Sequence, residues 1–325
     1  MFRKKPKKLF CVLLVLTLLL SLTAGGQTTA EDTAAATTAA AAETEAPEAA
    51  EPASSYPVTV TDQAGREVTI EEEPQTLVSG YYISTSLLIA LDLDEKLVGI
   101  EAKADTRPIY QLSAPALLEL PSVGTAKEFD LEGCAALEPD LVILPLKLQS
   151  VVESLEALDI DVLLINPENQ ELLEETIRLI GEATNTSDRA QALLDFSARE
   201  EARLAEELAG AETPSVYLAG NSDFLSTAGD AMYQSDMIRM AGGVNAAAEL
   251  TDTYWAEISY EQLLAWNPEY IILASDASYT TEDVLTDPNL AGCQAVENGS
   301  VYQIPGNAEA WDSPVPSGIL GSVWL

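Results

Sequence analysis

The sequence predicts an α/β protein: two Rossmann-like lobes with parallel-type sheets, joined by one long helix. Three observations carry this. Short, near-continuous apolar runs alternate with helical patterns along most of the chain. One helix–turn–strand phrase is written twice, as "EGCAALEPDLVIL" from Glu132 and as "EQLLAWNPEYIIL" from Glu261. Between the two copies, residues 169–208 carry helix periodicity alone.

The elements follow in order. "VTVTDQAGREVTI" (Val58 to Ile70) alternates apolar and polar residues around a Gly-containing turn, which predicts a hairpin. "TLVSG", ending at Gly80, is a strand, and Thr85 to Leu91 is helical. Leu97 to Ile100 is a buried strand. Leu131 to Leu137 is a helix, followed by the strand Leu141 to Leu144. Leu148 to Leu158 is a helix, followed by the strand Asp161 to Ile165. Strands this uniformly apolar belong to parallel sheets covered on both faces. The helical stretch from Asn169 breaks near Asn185–Ser187, and its second piece, Arg189 to Leu208, is long enough to cross between lobes. Strand patterns resume at Ser215 to Ala219. They continue through the helix Tyr233 to Met240, the helix opening at Tyr260–Glu261, the strand Tyr270 to Leu273 and the strand Val301 to Ile304. The predicted lobes are therefore 56–168 and 213–325, with a helical segment at 169–212. The apolar, uncapped ending "PSGILGSVWL" predicts a last helix that is cut short.

The first 55 residues read differently. Arg3, Lys4, Lys5, Lys7 and Lys8 precede an apolar run from Leu9 to Leu22 and then Ala24, Gly25 and Gly26. That is a secretory signal over residues 1–26; the alternative is an uncleaved membrane anchor. Either way the body lies outside the cytoplasm, in the periplasm or at the cell surface. Residues 27–55 are mostly Ala, Thr, Glu and Pro and predict a disordered spacer. Cys11 follows the bulky Phe10, so no lipid-attachment site is assigned. The formal net charge is −37, which excludes nucleic acid and anionic membrane surfaces as partners. A soluble extracellular surface explains most of this acid, and a basic partner protein is the sharper reading. Two cysteines in the body, Cys134 and Cys293, define no disulfide framework. The chain has no histidine, which removes His-based zinc sites and His-dependent triads. No catalytic set and no cofactor emerge.

Ligands of open parallel sheets sit beyond the carboxyl ends of the strands. In the first lobe that rule selects Ser79, Gly80, Tyr81 and Tyr82, then Lys103 and Arg107, then Lys147. In the second it selects Asn221 and Ser222, then Ser275, Asp276 and Tyr279, then Trp311 and Asp312. Tyr81, Tyr82, Tyr254, Trp255, Tyr279 and Trp311 supply aromatic surface for a flat or greasy ligand. On composition alone each is more often a packing residue than a ligand contact. Lys103 and Arg107 suit an anionic chelate, and Lys147 also serves to balance nearby acid.

Taken together, "YPVTVTDQAGREVTI", "LEGCAALEPDLVIL", "ISYEQLLAWNPEYIIL", "AVENGSVYQIP" and "WDSPVPSGILG" resemble the periplasmic-binding-protein family for iron–siderophore, haem and cobalamin uptake. The resemblance spans Tyr56 to Leu325. It implies an extracytoplasmic solute-binding protein of an ABC importer, without enzymatic activity. Such a protein is a monomer that holds a metal chelate between its lobes and hands it to a two-subunit permease with its ATPase. It also implies that Glu132 and Glu261, one per lobe, dock into arginine pockets on the permease. A two-lobe enzyme acting on a metal chelate and a surface adhesion or scaffold protein are the alternatives. The stiff interlobe helix predicts a small rigid-body adjustment on ligand binding, with no wide closure.

Overall fold

The computed structural model describes residues 56–251 and 253–325; the predicted signal and spacer lie outside them. Apolar runs become the central strands. In the first lobe β3 (Leu77–Ser79), β4 (Leu97–Gly99), β5 (Leu141–Pro145) and β6 (Asp161–Ile165) form an all-parallel sheet in the order β4-β3-β5-β6. Every residue of β3 and β5 is buried, as expected for strands covered on both faces. The hairpin of β1 (Val58–Thr61) and β2 (Glu67–Ile70) packs beside this sheet. Its corner is pinned by Asp62, which accepts from Ala64 N and Arg66 N and reaches Leu164 N in β6.

The second lobe has a mixed sheet, which the parallel pattern did not predict. β7 (Ser215–Ala219), β11 (Tyr270–Leu273) and β12 (Val301–Gln303) are parallel neighbours. The outer edge of β7 pairs with β9 (Val244–Asn245) at its start and with the antiparallel β8 (Ser226–Ala228) at its end. β10 (Trp255–Glu257) then pairs antiparallel with β8.

Two helices lie between the sheets in sequence, Gln170–Ala183 and Ser187–Glu207. Asn169 caps the first through a bond from Leu172 N, and the left-handed Asn185 (φ 59°) makes the corner. At 1.5 Å per residue the second spans about 31 Å. One buried apolar cluster runs through both lobes. It includes Leu77, Ile143 and Ile165 of the first sheet, Leu173, Ile177 and Leu194 of the helices, and Leu218, Met237, Ile272 and Ile304 beyond them.

The repeated phrase has the same local meaning in each lobe. Asp130 and Ser259 are N-caps, accepting from Gly133 N and Gln262 N. Glu138 (φ 49°) and Asn267 (φ 46°) both take the left-handed conformation that ends the turn, each followed by proline. The next acid ties the start of the central strand to its neighbour. Asp140 accepts from Gln75 N and Thr76 N at 2.7 and 2.8 Å, and Glu269 accepts from Ser215 N at 3.1 Å. Partial burial raises the Asp140 pKa, but the Gln75 and Thr76 bonds outweigh it and hold the carboxyl below its ordinary value. Its stabilisation is therefore present above the ordinary carboxylate pKa and lost as pH falls through the folded value. Asp140→Ala should cost about 1 kcal/mol at neutral pH, the low end for charged hydrogen bonds because the side chain faces solvent. Denaturant titrations of both proteins should show this gap shrinking below about pH 4. A gap that persists at pH 2 would show that the carboxylate is not its source.

Candidate functional site

Both sheets reverse their strand order at the centre, between β3 and β5 in one lobe and between β7 and β11 in the other. Loops leaving adjacent strands part at such points and leave a crevice at the carboxyl ends. The two crevices share one cleft of about 740 Å³, within the range of small-molecule sites. The first lobe lends Tyr81 and Tyr82, where β3 turns into the helix Tyr82–Ala90, together with Lys147 after β5 and Glu168 after β6. The second lends Asn221, Ser222 and Asp223 after β7, Trp255 and Glu257 of β10, and the Asp312–Pro314 loop. Tyr233 and Gln234, at the start of the helix Tyr233–Met240, complete the wall. The lobes touch at its base, where Tyr233 N donates to Glu168 O at 2.8 Å.

A buried polar network sets the Tyr81–Tyr82 corner. Ser84 Oγ donates to Tyr81 O at 2.7 Å and lies 2.6 Å from Ser79 Oγ. Thr85 joins the Ser79 hydroxyl to Glu101, donating to Oε2 at 2.6 Å, and Tyr110 donates to Glu101 Oε1 at 2.7 Å. Tyr81 and Tyr82 stack edge to face with ring centroids 5.1 Å apart. Burial, with nearby acids adding to it, pushes both phenol pKa values up. Before any ligand binds, both phenols are therefore neutral at physiological pH and present hydrogen-bonding groups to the cleft.

On the opposite wall Asp312 is buried. It accepts from Ser275 Oγ at 2.6 Å, while its own carbonyl accepts from Gln234 Nε2 at 2.7 Å. Burial raises the Asp312 pKa against the Ser275 bonds, and burial raises that of Glu168 against the Lys147 charge. The cleft thus carries four carboxyl groups (Glu168, Asp223, Glu257, Asp312) and one ammonium, Lys147.

Of the residues selected by the strand-end rule, Tyr81, Tyr82, Lys147, Asn221, Ser222 and Asp312 line this cleft. Lys103, Arg107, Tyr279 and Trp311 do not. Lys103 is exposed at a left-handed turn (φ 68°). Arg107 stands behind Tyr82, its guanidinium 4.2 Å from the ring centroid. Tyr279 packs edge-on against Phe224 in the second lobe's core and donates its hydroxyl to Gly220 O. Trp311 is half-buried outside the lining. Glu132 and Glu261 are exposed in the first turns of their helices. Glu168, Tyr233, Gln234 and Glu257 line the cleft without having been selected. Glu257 lies on an antiparallel edge strand and Tyr233 and Gln234 at the lobe junction, places where a strand-end rule does not look; Glu168 follows the parallel strand β6, where the rule applies and would have found it. Among the described residues no cluster of three or more Cys, Asp or Glu could hold a bare metal ion.

Residues 77–308 match the periplasmic binding protein family. The chain belongs to that family. This periplasmic binding protein is 26% identical over 293 residues to the molybdate-binding protein MolA of Haemophilus influenzae, covering 82% of this chain and 83% of that one. It is 29% identical over 182 residues to the vitamin B12-binding protein of Salmonella typhimurium, covering 55% and 65%. A periplasmic solute-binding protein from Veillonella parvula shares its fold at a TM-score of 0.71 and 28% identity, over 82% and 84% of the two chains. The two-lobe α/β architecture, the role as an extracytoplasmic solute-binding component of an ABC importer and the absence of an enzymatic task follow from this kinship.

Proposed function

We propose that the cleft captures a neutral or cationic metal–organic chelate, of which a corrinoid is the best match, and not an anion. The carrying observation is the four carboxyl groups around the cleft against the single Lys147. Burial moves Glu168 and Asp312 toward their neutral forms, so the repulsion of an anion falls chiefly to the exposed Asp223 and Glu257, and such like-charge juxtaposition costs several kcal/mol. That disfavours molybdate, citrate complexes and the propionates of haem. The ligand also bridges two lobes across about 740 Å³, far more than one tetrahedral oxyanion fills. Tyr81, Tyr82, Tyr254 and Trp255 offer flat apolar faces with polar tips. Lys103 and Arg107, which suit an anionic chelate, lie outside this cleft, which supports the same reading.

The rest of the proposal is delivery. The predicted signal exports the protein, residues 56–168 and 213–325 act as the two lobes, and the monomer closes by a small adjustment. Glu132 and Glu261 then seat it on the two permease subunits. Among the described residues neither glutamate enters an ion pair or accepts a side-chain hydrogen bond, and both are exposed.

Calorimetry with cyanocobalamin, ferric citrate, haemin and molybdate tests the ligand class. Cyanocobalamin should bind and the anions should not. Tight molybdate or ferric-citrate binding without a corrinoid response overturns the proposal. Trp255→Ala removes an aromatic that is 42% exposed at the mouth. It should weaken cyanocobalamin binding by about 1–2 kcal/mol, roughly five- to thirtyfold in Kd, with an unchanged melting temperature. Unaltered affinity would place the ligand away from this wall.

A further inference from the structure

Behind Tyr82 lies a second, narrower crevice of about 90 Å³, room for several water molecules. One wall is first-lobe, with Ser86, Thr106 and Arg107; the other is second-lobe, with Asp276 and Glu309. Tyr82 lines both the crevice and the ligand cleft, so its ring is the partition between them. Arg107 lines only the crevice.

The charges facing each other here are unspent. Among the described residues the Arg107 side chain makes no ion pair and no hydrogen bond; it only stacks on Tyr82. The buried acid of its own lobe that feels its charge, Glu101, is already held by Thr85 and Tyr110. Across the crevice Glu309 is 9% exposed. Its Oε2 accepts from Ser317 N and Oγ, and its Oε1 is buried without a partner. A buried carboxylate oxygen lacking a donor is costly, and its residue lines the same crevice as a guanidinium lacking an acceptor. Asp276 is exposed on the same wall and adds to the attraction.

We propose that Arg107 is a positioning residue for ligand capture: it pairs with Glu309 as the lobes draw together, and so holds the Tyr82 ring against the bound ligand. Expelling a few waters needs only a small shift of one lobe. The arginine is thus read as answering an acid of the protein itself, not an anionic ligand. The inference rests on the cleft being the ligand site.

The test is a mutant cycle with cyanocobalamin as the probe, read by calorimetry at low and high salt. The proteins are wild type, Arg107→Gln, Glu309→Gln and the double variant. Glutamine at 309 keeps an oxygen for Ser317. Each single change should weaken binding about tenfold, and the double change also about tenfold, because both remove one pair. High salt should weaken the wild type more than any variant. If Arg107 only supported Tyr82, the two losses would be independent. A roughly hundredfold loss in the double variant, or wild-type affinity in either single one, overturns the pairing. Equal affinity in all four proteins sinks the latch alone, whereas no binding by the wild type sinks the ligand reading and the latch with it.

Discussion

Reversing both Glu132 and Glu261 to arginine should reduce uptake by about a hundredfold and leave ligand affinity untouched. On the proposed docking, each reversal replaces an attraction to a basic pocket of the permease by a repulsion, at roughly tenfold or more apiece. The structure sharpens this expectation by accounting for everything else in the repeated phrase. Asp130 and Ser259 cap the helices. Glu138 and Asn267 supply the left-handed turn. Asp140 and Glu269 fasten the strands. An acid in a first helical turn gains about 0.3–1 kcal/mol from the helix dipole, but that asks for an acid somewhere in the turn and not for the same exposed position twice. Transport into vesicles carrying the permease and ATPase, paired with calorimetry on the same variants, separates docking from capture. Normal uptake by the double reversal leaves the glutamates as helix-start residues only.

The second large effect is on stability. Gly124→Ala should lower the free energy of unfolding by about 3–4 kcal/mol and the melting temperature by roughly 6–12 °C. Gly124 has φ +88°, and a Cβ there would lie 2.1 Å from Glu128 O. Its carbonyl accepts from Ala102 N at 2.7 Å, at the root of the loop that leads to Arg107. Displacing this turn therefore also moves the stacked guanidinium. Gly65→Ala is the control. Gly65 is left-handed too (φ +77°), yet a Cβ there meets nothing within 4 Å, so it carries the backbone cost alone, about 1 kcal/mol. Equal losses at the two positions would show that the Glu128 contact relaxes freely.

The fold was legible wherever burial is complete. β6, β7, β11 and the helix Tyr233–Met240 fall where their apolar runs place them, because strands covered on both faces leave no room for polar residues. β8, β9 and β10 were not foreseen. They are two or three residues long, and β10 (Trp–Ala–Glu) has no buried residue, so no periodicity marks it. The cleft divides along the same line. Tyr81, Tyr82, Lys147 and Asn221 follow parallel strands and could be found from sequence. Arg107, Tyr279 and Trp311 follow such strands as well, but tertiary packing turns them to a ring face, an aromatic core and a half-buried corner. Gln234 owes its place to the meeting of the lobes, which no local pattern records, whereas Glu168 follows β6 and was within reach of the strand-end rule.

The buried cluster that passes unbroken from one sheet through the helices to the other has a thermodynamic consequence. Separate cores would let each lobe melt alone, leaving half a cleft intact. A shared core makes their unfolding one cooperative event. Heating should then give a single transition, and a ligand that touches both walls should raise it as a whole, by the logarithm of its saturation. For a receptor that waits outside the cytoplasm, unfolding that starts in either lobe removes the entire binding site at once, and no half-folded form remains to occupy the permease.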